Sequence, residues 1–105
     1  MGEVVVRYRV KPDAVDENIR LIKRVFAELD TLQPAGIRYA SLQLDDGVSF
    51  VHVATFDAAD GPSRLAALSA FAAFTNDIAE RCDDPPVGRA GTVIGDYRLL
   101  ERAGG

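Results

Sequence analysis

The sequence contains one histidine, His52, in the stretch Phe50-Val51-His52-Val53-Ala54-Thr55-Phe56. If that stretch is a strand, its alternate positions share a face, and His52 points the same way as Phe50 and Phe56. Apolar surroundings disfavour the charged imidazolium, so the ring is expected to be neutral at pH 7, able to act as a general base or to hydrogen-bond a phenol. His52 is therefore the catalytic candidate. The competing reading is a core histidine whose ring nitrogens are satisfied by the protein itself. Tyr8, Tyr39 and Tyr97 each combine a ring to bury with a hydroxyl to present, and a phenol beside an imidazole could orient an aromatic substrate; tyrosine is also common in half-buried strands for packing alone. Phe71 and Phe74 lie among Ala66, Ala67, Ala70, Ala72 and Ala73. Small side chains against a sheet either leave room for a ligand or let helix and sheet approach closely. The substrate-binding candidates are thus Tyr8, Tyr39, Phe50, Phe56, Phe71 and Phe74.

Other chemistries lack their residues. There is no Gly-rich phosphate loop, no Cys/His cluster at metal spacing and no nucleophilic Ser motif, and Gly88-Arg89-Ala90-Gly91 is too ordinary for a phosphate cradle. No metal or other cofactor is expected. Cys82 lacks the helix-N-terminal setting that activates a thiol, and as the only cysteine it has no internal partner. A net charge of −4, with ten Arg and two Lys scattered through the chain, argues against nucleic acid as a partner. No apolar run approaches a membrane span, and the first ten residues lack a signal-peptide pattern. With a lone cysteine, these features point to the cytoplasm.

Length and composition fit one globular domain over residues 1–105. Val4, Val6, Tyr8 and Val10 alternate with Val5, Arg7 and Arg9, which predicts strand one. Asp13 is the expected cap of a five-turn helix striped by Val15, Ile19, Ile22, Val25, Phe26, Leu29 and Leu32, ending before Pro34. Strands Ile37–Leu44 and Val48–Phe56 flank Asp45-Asp46-Gly47, a hairpin signal. Asp60 or Gly61 with Pro62 opens a second helix, striped by Leu65, Leu68, Phe71, Phe74, Ile78 and Cys82 and stopped by Asp83-Asp84-Pro85-Pro86. Thr92 to Leu100 alternates again and is expected as strand four, with a loose tail from Glu101 to Gly105.

This order predicts a ferredoxin-like α+β domain, βαββαβ, with a four-stranded antiparallel sheet and two helices on one face. The other face would carry Val5, Arg7, Arg9, Val51, Val53 and Ile94, too apolar to leave wet with no helix left to cover it. A second copy of the chain is the simplest cover, giving a homodimer through the sheet face in which Arg7 or Arg9 meets Asp96 of its own or the partner chain.

Val10-Lys11-Pro12 closing strand one, the long helix, Gly36-Ile37-Arg38-Tyr39-Ala40-Ser41-Leu42-Gln43, the hairpin, and a strand ending in Phe56-Asp57 together resemble the antibiotic-biosynthesis-monooxygenase-like family over roughly Val4 to Leu100. The resemblance implies a dimeric α+β barrel. It also implies a ligand pocket between helices and sheet, faced by Val6, Tyr8, Phe50, His52, Ala54 and Phe56, and an activity such as cofactor-free oxygenation of a small aromatic molecule. The chain departs from family patterns at several positions. An acidic residue followed two positions later by Trp or Tyr on strand three is replaced by Ala54 and Phe56, and the chain has no Trp. Leu68 and Ala73 stand where second-helix histidines occur, and Val6 stands where haem-degrading members carry Asn. Two readings stay open: a small cofactor-independent monooxygenase-like enzyme, or a non-catalytic dimeric binding protein on the same barrel.

Overall fold

The computed structural model describes residues 2–99. Its sheet has the strand order β2-β3-β1-β4, with β1 at Gly2–Val10, β2 at Ile37–Gln43, β3 at Ser49–Phe56 and β4 at Cys82–Gly91. All three pairings are antiparallel, and helix α1, Val15–Leu32, packs on one face. The expected α+β, ferredoxin-like arrangement is therefore the observed one.

The hairpin loop follows its sequence closely. Gly47 takes φ +79°, and the Asp46 carboxylate accepts the backbone N–H groups of Val48 (3.0 Å) and Ser49 (2.8 Å), the side-chain turn that favours Asp at such a position. Helix α1 starts differently from expectation. A 3₁₀ turn, Pro12–Ala14, precedes it, and Ala14 rather than Asp13 is the N-cap, without a side-chain bond. Its buried residues are Asn18, Leu21 and Val25, so the buried stripe runs on a slightly different line from the expected one, and Leu32 at its end is 56% exposed.

The second helix is not continuous. It divides into α2 (Gly61–Ala66), α3 (Ser69–Thr75) and α4 (Ile78–Arg81). Leu68 breaks the path with extended backbone angles, as does Asn76, and Asp77 is left-handed at φ 60°. Glu28 of α1 supports the first break: its carboxylate accepts Ala70 N–H at 2.7 Å and the Ser69 hydroxyl at 3.1 Å, satisfying donors that a helix start leaves open. The break lets Leu65, Leu68 and Phe74 all be buried, which one straight stripe would not require.

Strand four also differs. The alternating segment from Thr92 is not in the sheet; the edge strand is Cys82–Gly91, which contains both Pro85 and Pro86. Proline is tolerated there because an edge strand has hydrogen-bonding demands on one side only, and the register against β1 shifts between Arg7, Arg9 and Val10. Gly91 lies opposite Glu3, so the sheet's first residues are already used when the chain reaches Thr92, and the following segment has no strand left beside which to pair. Ile94 and Tyr97 are 101% and 84% exposed. Ile94 and Asp96 therefore do not belong to the outer sheet face, and Leu100 and the tail lie outside the described residues. The face away from α1 carries Val5, Arg7, Arg9, Ala40, Leu42, Val51, Val53, Val87 and Arg89, as the registers place them.

Gly61 opens α2 against Phe56. A Cβ there would stand 2.5 Å from Phe56 Cδ1, and since Phe56 is itself buried it has little room to yield. Gly61→Ala is expected to lower stability by about 1–3 kcal/mol through overpacking, measured as a fall in the urea midpoint at unchanged m-value.

Candidate functional site

The inner face of the sheet places His52 between two tyrosines. In register His52 stands opposite Val6 on β1 and Ser41 on β2; Tyr8 and Tyr39 are the diagonal neighbours, within reach of long side chains. Tyr8 Oη lies 2.7 Å from His52 Nε2, and Tyr39 Oη lies 2.7 Å from Nδ1. Ser41 Oγ approaches the same Nδ1 at 2.8 Å. His52 is 4% exposed, and both ring nitrogens are thus engaged by protein hydroxyls.

The network continues beyond the sheet. Asn18, fully buried on α1, donates from Nδ2 to Tyr8 Oη at 3.0 Å. Arg81, at the end of α4, donates from Nε to Asn18 Oδ1 at 3.3 Å. Arg81 is fixed by its other contacts: its guanidinium donates to the backbone carbonyls of Phe74 (2.6 Å) and Asn76 (3.2 Å), and lies 5.5 Å from the Phe74 ring centroid. Its own carbonyl accepts Lys11 N–H at 2.8 Å, joining the broken helical segment to the end of β1.

His52, Tyr8 and Tyr39 form one wall of a cavity of about 280 Å³ between sheet and helices, with Ser41, Asn18 and Arg81 behind it. Of the candidate residues, Tyr8, Tyr39, His52, Phe56, Phe71 and Phe74 line it. Phe50 does not: it is 2% exposed and stacks on Tyr8 at 5.6 Å between centroids, supporting the tyrosine from within the core. Tyr97 lies on the exposed segment after β4. The remaining lining is Val4, Val6, Ala54, Pro62, Leu65, Thr75, Ile78 and Pro86, so the polar groups gather at the His52 wall and the rest is almost entirely apolar. Asn18, Ser41 and Arg81 were not among the residues singled out from sequence. The spacing of Asn18 to Leu21 and Val25 was the available signal, because it sets an amide on the core side of a helix, where a polar group needs a partner.

Burial favours the neutral form of every titrating group at the wall. Desolvation pushes the His52 pKa down to about 4, so the imidazole is neutral at pH 7. Desolvation raises Tyr39 to about 12, opposed by the Ser41 hydroxyl beside it. It also raises Tyr8, against a smaller opposing effect from the Asn18 amide. At neutral pH His52, Tyr8 and Tyr39 are therefore all uncharged, and Arg81, at the far end of the hydrogen-bond chain, does not line the cavity. The Cys82 thiol is buried and is pushed up by desolvation, so it is not an activated nucleophile. Among the described residues no group of three or more His, Cys, Asp or Glu side chains is placed to hold a metal ion, and no helix is long and apolar enough to cross a membrane.

The depressed His52 pKa carries a stability consequence. Between its ordinary value of 6.5 and its folded value of about 4 the unfolded chain binds the extra proton. Stability contributed by the neutral ring is complete above pH 6.5 and is lost as pH falls through that window, with a slope approaching about 1.4 kcal/mol per pH unit. Urea midpoints measured from pH 7 to 4.5 are expected to fall accordingly, and His52→Phe is expected to flatten that part of the profile.

No protein-family model and no curated protein sequence matches the chain. Solved structures do. A crystal structure described as an antibiotic biosynthesis monooxygenase aligns at TM-score 0.74 and 15% identity, covering 90% of this chain and 100% of the other. Rv0793 from Mycobacterium tuberculosis aligns at TM-score 0.74 and 16% identity, covering 90% and 96%. A variant of SnoaB, a cofactor-independent oxygenase from Streptomyces nogalater, aligns at TM-score 0.67 and 20% identity, covering 96% and 97%. The chain has the α+β fold of the antibiotic-biosynthesis-monooxygenase-like proteins.

Proposed function

We propose that the chain binds a small, neutral aromatic molecule in the cavity and acts on it as a cofactor-independent, monooxygenase-like enzyme, with His52 as the basic centre. The observation that carries this reading is a single neutral imidazole held between two tyrosine hydroxyls, at 2.7 Å from each, on the one polar wall of an apolar cavity. A cavity of about 150 Å³ accommodates one benzene ring, so about 280 Å³ suits on the order of two. Removal of a phenolic or activated C–H proton leaves an electron-rich anion, and dioxygen is the co-reactant that would accept its electrons. The cofactor-independent oxygenase description of SnoaB, which shares the fold at 20% identity, supports the choice of chemistry. The buried free thiol of Cys82 fits a reducing, cytoplasmic setting.

A second reading, a binding protein without catalysis, draws support from the engagement of both His52 nitrogens by protein hydroxyls. Oxygen consumption with a panel of electron-rich bicyclic phenols, without flavin or metal, separates the two. Turnover that falls by about 10²–10⁴-fold in His52→Ala supports the catalytic reading. Binding of the same phenols with no oxygen uptake supports the second.

Among the described residues no Lys or Arg lines the cavity, which bears on selectivity under either reading. An anion entering the cavity loses hydration without gaining a counter-charge. By calorimetry 2-naphthol is expected to bind at least about tenfold more tightly than 2-naphthoate, about 1.4 kcal/mol; equal affinity would overturn the neutral-ligand assignment.

The partner we propose is a second copy of the chain on the outer sheet face. Val5, Leu42 and Val87 are 38%, 45% and 51% exposed there, beside half-buried Val51 and Val53, an apolar patch of the kind that marks an interface. Light scattering at micromolar concentration is expected to give twice the chain mass, and Val53→Glu the single mass.

A further inference from the structure

The hydrogen bonds around His52 have a direction, and it is set from outside the cavity. An arginine side chain donates and never accepts. The Asn18 atom facing Arg81 Nε at 3.3 Å must therefore be the amide oxygen, which turns the NH₂ group toward Tyr8 Oη at 3.0 Å. The Tyr8 oxygen accepts that bond and holds one proton of its own. Among the described residues the only acceptor placed against Tyr8 Oη is His52 Nε2. If Nε2 carried a hydrogen instead, the Tyr8 oxygen would receive two donors while its own proton, on a buried side chain, had no acceptor among the described residues; a spare hydroxyl proton costs less on Tyr39 or Ser41, which are only half-buried. Nε2 is then the lone-pair nitrogen, and Nδ1–H donates to Tyr39 Oη or Ser41 Oγ, both within 2.8 Å.

We propose that Asn18, oriented by Arg81, is the positioning residue that holds His52 in its Nδ1–H tautomer and so gives the two cavity tyrosines opposite roles. This deepens the catalytic reading of the same site and rests on it for the roles, though not for the tautomer. On the Tyr8 side the relay accepts a proton: a substrate X–H proton passes to Tyr8 Oη as the Tyr8 proton passes to Nε2, leaving the substrate anion and an imidazolium. On the Tyr39 side it donates: the phenolic proton is not needed by Nδ1, which already carries one, and is available to an oxygen of the bound molecule. The base acts through Tyr8, while Tyr39 stabilises developing negative charge.

Because His52 is the sole histidine, protein labelled with ¹⁵N-histidine gives the spectrum of one ring. In the ligand-free wild type near pH 7.5, Nδ1 is expected to show a pyrrole-type shift and Nε2 a pyridine-type shift. Asn18→Asp keeps the shape but replaces the donor with a carboxylate that pairs with Arg81. The Tyr8 hydroxyl must then donate to it, and the imidazole is expected to switch to Nε2–H. Asn18→Leu, for use if the aspartate variant does not fold, is expected to populate both tautomers. Wild-type protein in the Nε2–H form, or either variant retaining pure Nδ1–H, would overturn the proposal. The roles are read separately: Tyr39→Phe should lower kcat for phenol oxygenation while leaving the wild-type tautomer in place, and an unchanged kcat would overturn the donor role of Tyr39. Correct tautomers with no oxygen uptake by the wild type would instead remove the catalytic reading and leave the positioning by Asn18 standing.

Discussion

A polar ring can be buried against an apolar sheet only if both its nitrogens find partners, and much of the site follows from that demand on His52. An unpaired buried donor or acceptor costs about 1–3 kcal/mol, so a histidine at the centre of β3 obliges neighbouring strands to offer hydroxyls at the diagonal positions. Tyr8 and Tyr39 do so, with Ser41 directly opposite. Each tyrosine in turn needs support. Phe50 and Phe26 stack on their rings at 5.6 and 5.3 Å, and the Asn18 amide reaches Tyr8 from the helix. The aromatic core and the polar wall are therefore one assembly.

The same demand gives the broken helical segment a purpose. Breaks at Leu68 and at Asn76–Asp77 leave carbonyls at the end of α3 without helical partners. Arg81 covers those of Phe74 and Asn76 through its two NH₂ groups and, with its Nε–H, the Asn18 oxygen. A continuous helix would have satisfied those carbonyls internally and carried residue 81 further along its axis. The irregularity thus brings a permanent cation to the edge of the network without placing its charge in the cavity, which stays suited to neutral molecules.

Much of this was legible in the residues. The two-residue period of β1 and β3 correctly assigned Tyr8, His52 and Phe56 to the helix-facing side, and Asp46-Gly47 marked the hairpin. Other features were misread or missed for identifiable reasons. Alternation at Thr92 to Leu100 carries a strand's pattern, but pattern cannot report that the neighbouring strand has ended; Cys82–Gly91, with two prolines and two glycines, hides a real edge strand whose formation depends on β1 being there to pair with. Local spacing could set Asn18 on the core side of α1, but the partners that give Asn18 and Arg81 their roles lie 10 and 63 residues away in sequence, which spacing does not encode.

The two prolines of β4 also limit how such a sheet can grow. Pro85 and Pro86 carry no N–H, and they sit on a border strand whose outer side has no neighbour among the described residues. A further strand arriving there would find missing donors where a ladder needs them. Lateral extension of the sheet at that border is disfavoured where the ladder loses an outward donor, which makes stacking face to face the less costly way for such sheets to associate.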